Sequence, residues 1–415
     1  MDFIKTPVKG MPEQLPQDMI LREFVLNKIK VNYGKYGFLL IETPAVEHIE
    51  NLTNKQGGEN EQLIFKILKR GEKLKKETTL DNISDSGLRY DLTVPLARFY
   101  SNNAQHLPMP FKAFQIGNVW RADNPQKGRL RQFMQCDIDI IGDRTKIAEI
   151  DLITATVDML SELGLGKCTV RVNDRRILKQ MALNCNFNPE QLSPIFVILD
   201  KYDKIGVEGV KNKLMSLGMS ENNVDKYCGY LKTYDKTLSC KDFFAKEDNS
   251  MDAQIVENLE DIINITKNLV KDKGNVIFDP TLVRGMGYYT GPIFEIELNS
   301  YHLSIAGGGR YDKMIGKYMG HDVPACGFSI GLERIMSIIK EKQKALGLEG
   351  AGVSYLVDKD TKREKIEEIF NQAAKLREDD TRVSVSTKIK NIGRQREELK
   401  KQGYGKIIDT YEWER

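Results

Sequence analysis

An α+β protein is predicted: an antiparallel-looking core flanked by helices, interrupted by a helical insertion and followed by a compact α/β tail. Three observations predict it. Residues 111–142, FKAFQIGNVWRADNPQKGRLRQFMQCDIDIIG, read as a strand, a polar turn-rich loop and a returning strand. Residues 175–273 are helical in texture, charged and free of glycine clusters, as an inserted module would be. Beyond residue 352, strand-like and helix-like stretches alternate, the pattern of a small parallel α/β domain.

In chain order, Ile20, Phe24, Val25, Ile29 and Val31 fall at helical spacing between Pro16 and Tyr36, and Gly37 then leads into a strand-like FLLIET closed by Pro44. GLRYDLT, from Gly87 to Thr93, alternates as a strand would, with Arg89, Asp91 and Thr93 on one face; a helix is expected from about Pro95. Lys146 to Leu163 is amphipathic at helical period, and Cys168 to Asp174 reads as a strand. After the helical stretch, strands resume at Val276 and continue through LVRGMGYYTGPIFEIEL, YHLSIAGGGRYD and ACGFSI. A helix, GLERIMSIIKEKQKAL, and a glycine-rich linker, Gly347 to Gly352, follow. The tail is expected as strand 353–357, helix 362–377, strand 381–386, helix 393–402 and strand 406–408.

Composition narrows the function classes. At 415 residues, with 40% hydrophobic and 29% charged residues, the chain has the make-up of a soluble protein of two or three domains. No apolar run approaches membrane-spanning length, and the first residues hold no hydrophobic targeting core, so a cytoplasmic home is expected. Six scattered cysteines without a C-x-x-C and only four histidines argue against a disulfide framework and a zinc site. The net charge of +3 leaves nucleic-acid contact to local patches. Two exist: Lys66 to Lys76, which reads best as a solvated face, and Thr381 to Lys406, with eight Lys/Arg against two Glu.

The return strand of the 111–142 segment is unusual. Met134, Cys136, Ile138 and Ile140 share one face; Phe133, Gln135, Asp137 and Asp139 share the other, with Arg121, Arg129 and Arg131 nearby. An aromatic ring, an amide and two carboxylates suit a ligand with a planar ring, cationic groups and phosphates, although a salt-bridged hairpin would show the same residues. Three further constellations are weak singly. LVRGMGYYTG sets Arg284 among glycines and tyrosines, as either a ligand contact or an exposed arginine on a tight turn. AGGGRYD could pass close to a nucleotide or form a bulge. GFSIGLERI brings Glu333 and Arg334 to a helix start, where phosphate is favoured or a plain capped helix suffices.

Their order is informative. RADNPQKGRLRQF resembles the motif 2 loop of class II aminoacyl-tRNA synthetases, GFSIGLERI resembles motif 3, and Gly37 to Pro44 resembles the motif 1 strand. LVRGMGYY, AGGGRYD and RYDLTVPLARFY resemble the histidine-pocket segments of the histidyl-tRNA synthetase family, over residues 8 to 340. The resemblance implies a class II antiparallel sheet in two parts, residues 1–174 and 274–346, a helical insertion, 175–273, and an anticodon-binding-like α/β domain, 350–415, that looks shorter than a full one. It implies activation of L-histidine with ATP and Mg²⁺, transfer to histidine tRNA, and a homodimer built on the motif 1 helix and strand. Asp91, Thr93 and Gln135 would hold the α-amino group, Asp139 and Tyr289 the imidazole, with Tyr288 lining the pocket. Arg121 would bind the α-phosphate, Phe133 stack on adenine, and Arg129 and Arg334 meet the distal phosphates. Arg284, with Arg121, would be catalytic. Gln126 and Arg131 in the loop, and Lys388, Arg394, Arg396 and Lys400 in the tail, would contact tRNA. No resident metal site is expected. Gly287 departs from the usual Asp and Leu130 from the usual Tyr of these motifs. The alternative from another class is a histidine-binding regulatory subunit of ATP phosphoribosyltransferase, which would not aminoacylate.

Overall fold

The computed structural model describes residues 3–53, 62–71, 83–126, 129–247, 251–284, 287–342 and 352–410. Residues 72–76 of the first basic run, Gly285 and Met286 of the arginine segment, and 347–351 of the linker lie outside the described residues. The chain divides into two compact units, Met1–Pro12 with Lys28–Ile335, and Glu13–Asn27 with Met336–Arg415.

Helix α1 (Pro16–Lys35) starts in the smaller unit and belongs to the larger one from Lys28; at Gly37, whose φ of 79° only glycine adopts without strain, the chain turns into the short strand β1 (Leu39–Ile41). β2 (Val46–His48), α2 (Ile49–Leu52), β3 (Lys66–Leu68) and β4 (Ser84–Leu88) follow, the three strands pairing as β2-β4-β3. The strand expected through Thr93 stops at Leu88. The carboxylate of Asp91 accepts the Val94 amide at 3.0 Å where helix α3 (Thr93–Asn103) begins, so a side-chain bond to the backbone overrides the alternating pattern. Then come β5 (Phe111–Trp120), β6 (Gln132–Ile141), α4 (Ile147–Glu162) and β7 (Cys168–Asp174).

The regular structure among the described residues from 175 to 270 is all helix, joined by turns: α5 (Arg175–Asn184), α6 (Leu192–Leu199), α7 (Tyr202–Ser216), α8 (Glu221–Thr233), α9 (Cys240–Glu247) and α10 (Ala253–Val270). β8 (Gly274–Phe278), β9 (Pro292–Leu298), β10 (Leu303–Arg310), α11 (Asp312–Met319), β11 (Ala325–Gly331) and α12 (Leu332–Lys342) follow, α12 belonging to the smaller unit from Met336.

Eight strands form one sheet in the order β1-β5-β6-β11-β10-β9-β7-β8. The outer pairs β1–β5 and β7–β8 are parallel and the rest antiparallel. Leu96, Tyr100, Phe111, Ile141, Tyr311 and Ile315 belong to a core where α3 and α11 pack against it. Both faces of β6 are buried beyond Met134, so its carboxylates are not a wet outer face.

The smaller unit holds β12 (Gly352–Val357), α13 (Arg363–Glu378), β13 (Val383–Thr387), α14 (Ile392–Lys401) and β14 (Tyr404–Asp409). Its three strands are parallel, in the order β13-β12-β14, as the alternating pattern predicts.

Candidate active site

Register builds the site. Directly opposed residues of antiparallel strands project from the same face. Gln115 faces Asp137, Asp137 faces Ser329, Ser329 faces Gly307, Gly307 faces Glu295, and Glu295 faces Arg171. A polar row thus crosses six strands, with a gap at Gly307. Arg284 fills the gap: a Cβ at position 307 would lie 2.2 Å from its guanidinium carbon. Gly327 does the same for Asp139, whose Oδ1 would meet an added Cβ at 1.9 Å. The irregularity in β10 falls between Ser304 and Ala306, just before the three glycines of AGGGRYD, so the glycines themselves are not the bulge. They lie in the regularly paired part of the strand, where Gly307 makes room for the Arg284 side chain.

Acceptors outnumber donors at the centre. Gln135 Nε2 donates to Ser329 Oγ at 2.5 Å, and Tyr311 donates its hydroxyl to Asp139 Oδ1 at 2.6 Å. Asp91 Oδ2, Gln135 Oε1 and Asp137 Oδ1 are buried with no hydrogen-bond partner. Buried polar atoms are almost always paired, so three orphan acceptors call for a donor-rich, cationic ligand. Burial pushes the Asp91 carboxyl up to about 6 and that of Asp139 up to about 7. Asp137 rises well above the carboxylate range through burial and then through the neighbouring Asp139.

These raised values predict the pH behaviour. The folded protein holds these protons more tightly than the unfolded chain, whose carboxyls titrate near ~4. Between about pH 4 and 7 the folded state therefore binds more protons, and these groups lower the stability of the ligand-free protein as pH rises. An ammonium ligand favours their ionised forms, so its stabilising effect grows over the same interval. Thermal melts from pH 5 to 8, with and without histidine, should show a gap in melting temperature that widens with pH; a constant gap would contradict it.

Around this centre the other predicted residues fall into two groups. Thr93 shares a hydrogen bond with Tyr288, whose ring meets Tyr289 edge-on at 4.9 Å and Tyr311 at 6.0 Å. Arg121 donates to the Tyr90 carbonyl at 3.0 Å and lies 5.1 Å from the centre of the Phe133 ring. Arg284 donates to Glu295 at 2.5 Å, which with the field of Tyr289 outweighs burial and keeps it cationic. Arg334 bonds the Ser304 carbonyl, and its basicity is lowered by burial and then by Arg284 and Arg129. The like charge of Arg284 and Arg129 at Arg334 favours an anion there. Glu333 does not point outward: its carboxylate accepts the Met134 amide at 3.0 Å, tying α12 to β6. In the loop, Gln126 and Arg129 pair as an isolated bridge, Arg129 stands 3.5 Å from Asp123, and Arg131 donates to the Asp123 carbonyl at 2.9 Å.

The tail patch is divided. Lys388 is paired with Asp409 at 2.5 Å and Asp358 at 2.6 Å and is only 9% exposed; Arg396 reaches Asp409 at 3.2 Å. Both were expected as phosphate contacts, and both are largely neutralised within their own unit. Arg394 and Lys400 remain exposed on α14. Sequence spacing could not show this, because the aspartates come from two other strand ends.

Sequence reasoning passed over Asp137, Glu295, Ser329 and Tyr311. Asp137 was visible on the polar face of β6; the others needed the register.

A mostly antiparallel sheet carrying a buried acceptor cluster, a strand–loop–strand arginine and a helix-borne arginine defines a class II aminoacyl-tRNA synthetase core. The sequence model described as histidyl-tRNA synthetase matches residues 10–335. A histidine–tRNA ligase of Leifsonia xyli subsp. xyli is 42% identical over 357 residues, 82% of this chain and 81% of that protein. One of Korarchaeum cryptofilum is 38% identical over 334 residues, covering 79% and 73%. The crystal structure of histidyl-tRNA synthetase from Nostoc sp. PCC 7120 superposes with a TM-score of 0.76 at 28% identity, over 97% of this chain and 90% of that one. A Bacillus halodurans structure, titled as an ATP phosphoribosyltransferase regulatory subunit/histidyl-tRNA synthetase, shares the fold, with a TM-score of 0.79 at 19% identity over 99% of both. The chain belongs to the histidyl-tRNA synthetase family, and it is a ligase that activates histidine and charges tRNA with it.

Proposed function

We propose that the acceptor cluster is the histidine pocket of this ligase and that the arginines form its ATP cradle. The observation that carries the reading is the set of three buried acceptors without donors, Asp91 Oδ2, Gln135 Oε1 and Asp137 Oδ1. An α-ammonium brings three N–H donors and a positive charge to such a set. Asp137 joins Asp91, Thr93 and Gln135 in this role. Asp139, steadied by Tyr311, faces the imidazole together with Tyr289, and Tyr288 walls the pocket.

ATP lies across the arginines, with adenine on Phe133, the α-phosphate at Arg121, and the distal phosphates at Arg129 and Arg334. Arg284 stands between the histidine carboxylate and the α-phosphate. A carboxylate oxygen of histidine attacks the α-phosphorus in line, the bond to the bridging oxygen breaks, and pyrophosphate leaves with the electron pair. The 3′-hydroxyl of the tRNA terminal adenosine then attacks the carbonyl carbon of the adenylate, and AMP departs. The substrate supplies the nucleophile, so these side chains work by positioning and by stabilising charge.

Mg²⁺ fits as a companion of ATP. Among the described residues no trio of His, Cys, Asp or Glu is arranged as a metal site, and Mg²⁺ commonly takes phosphate oxygens and water instead. It would neutralise phosphate charge there.

The exposed apolar residues Val31 on α1 and Leu39 and Leu40 on the edge strand β1 support a homodimer through these elements. Six buried cysteine thiols fit a cytoplasmic setting. Residues 1–174 and 274–346 are assigned to the catalytic core, 175–273 to the insertion and 350–415 to an anticodon-binding-like domain. tRNA is met by Gln126 and Arg131 in the loop and by Arg394 and Lys400 in the tail.

The deciding experiment is histidine-dependent ATP–pyrophosphate exchange, followed by charging of histidine tRNA. Histidine binding without exchange would instead favour a regulatory subunit. For the tail, Arg394→Glu with Lys400→Glu should weaken tRNA binding and lower its salt dependence by about two counter-ions, leaving exchange unchanged. Lys388→Glu should instead destabilise the tail unit by breaking two ion pairs. Unchanged tRNA affinity in the double variant would remove the tail from the assignment.

A further inference from the structure

Arg284 is reached electrostatically from the helical insertion. Glu295 divides its oxygens: Oε2 accepts from Arg284 Nη1 at 2.5 Å, while Oε1 stands 3.6 Å from Arg171 Nη1, outside hydrogen-bond range. Arg171 is engaged elsewhere. Its Nε donates to Asp279 Oδ2 at 2.6 Å, and its terminal nitrogens donate to the two oxygens of Asp203 at 2.7 and 3.3 Å. Asp203 lies in the first turn of α7, within the insertion. Asp279 in turn accepts the amide and hydroxyl of Thr281 at 2.9 and 2.6 Å, and Asn173 donates to the Leu282 carbonyl at 3.1 Å. These bonds fix the backbone that delivers Arg284.

We propose that Asp203 is a positioning residue for the adenylation step. By occupying the terminal nitrogens of Arg171 it leaves Glu295 to Arg284, so the seating of the insertion sets the aim of the Arg284 guanidinium. The proposal rests on the assignment of Arg284 above. Two arginines compete for one carboxylate, and charge-assisted hydrogen bonds are the strong ones. Without Asp203, the freed Nη1 of Arg171 faces Glu295 Oε1 across 3.6 Å. A shift of under ~1 Å brings them into contact. Glu295 is then shared, and Arg284 loses its fixed partner. Misplacement of a catalytic group by about 1 Å can cost about 10²-fold in rate. The competing reading is an ordinary ion pair: the Asp203 side chain is 64% exposed, and such pairs contribute little. That reading predicts no change in catalysis.

The full-length protein distinguishes them by pyrophosphate exchange and thermal melting. Asp203→Asn should lower kcat for exchange about 10-fold, with KM for histidine and for ATP within about threefold and the melting temperature nearly unchanged. Asp203→Glu should recover most of the loss at the same melting temperature, which a purely structural role does not predict. In a Glu295→Gln background, Asp203→Asn should add no further loss, because the two act through one contact. A kcat within about twofold of the parent for Asp203→Asn, or losses that multiply in the double variant, would overturn the relay. Arg284→Ala in the same assay separates the failures. If it is inactive while Asp203→Asn is unchanged, the relay alone fails; if it retains exchange, the assignment of Arg284 falls and the relay with it.

Discussion

Replacing Arg284 by Ala is expected to lower histidine-dependent pyrophosphate exchange by about 10²–10³, with the fold intact. The guanidinium lies over the only residue of the polar row without a side chain, Gly307, and is held from below by Glu295. A cation fixed in this way needs no reorganisation as negative charge develops on the α-phosphoryl group, and that preorganisation is what truncation removes. Folding should survive, because Glu295 retains Arg171 as a neighbouring cation at 3.6 Å. Gly307→Ala makes a companion test: its Cβ would occupy the guanidinium's place, so it should mimic the loss without touching any ligand group. Exchange within a few-fold of the parent in Arg284→Ala would refute the catalytic assignment.

The second large effect concerns amino-acid selection. Asp139→Ala should raise KM for histidine about 10²-fold or more, while KM for ATP moves less than about threefold. A buried carboxylate and phenol that pair with a ring N–H are both left without partners when an apolar amino acid enters, which is how rejection by about 10⁴ is reached without editing. Asp139→Asn provides the complementary result. Asp139 is buried beside Asp91, and its carboxyl is raised to about 7, so the ionised form is unfavourable in the ligand-free protein. The amide keeps the bond from Tyr311 and removes the charge, and should stabilise the ligand-free protein at pH 8 by ~1–3 kcal/mol while weakening histidine binding. Melting curves and histidine titrations of the one variant check both. Equal effects on the two substrates would separate Asp139 from the imidazole.

Much of this was legible in the chain. The hairpin 111–142, the helical run after residue 175 and the alternating tail were each carried by local periodicity, and the strands and helices form within a few residues of their expected bounds. Local chemistry also explains the shift at Asp91, where a side chain competing for a helix amide defeats an alternating pattern, whereas the strand expected through LVRGMGYYTG is absent among the described residues between Phe278 and Pro292. The candidate arginines and carboxylates were likewise visible as residue types in ordered motifs.

What the sequence by itself determined was therefore the element order, the polar face of β6 and the family. Only the tertiary structure decided which polar residues share that face across strands, because register depends on pairings between segments far apart in the chain. It placed Ser329, Gly307, Glu295 and Arg171 in line with Asp137. It turned Gly307 of β10 into space for Arg284, and it neutralised Lys388 with aspartates 30 residues before it and 21 after it, at positions 358 and 409. Burial made the same distinction among charges. A carboxylate's pKa responds to the water it loses and the charges it gains, and neither is a property of its neighbours in sequence.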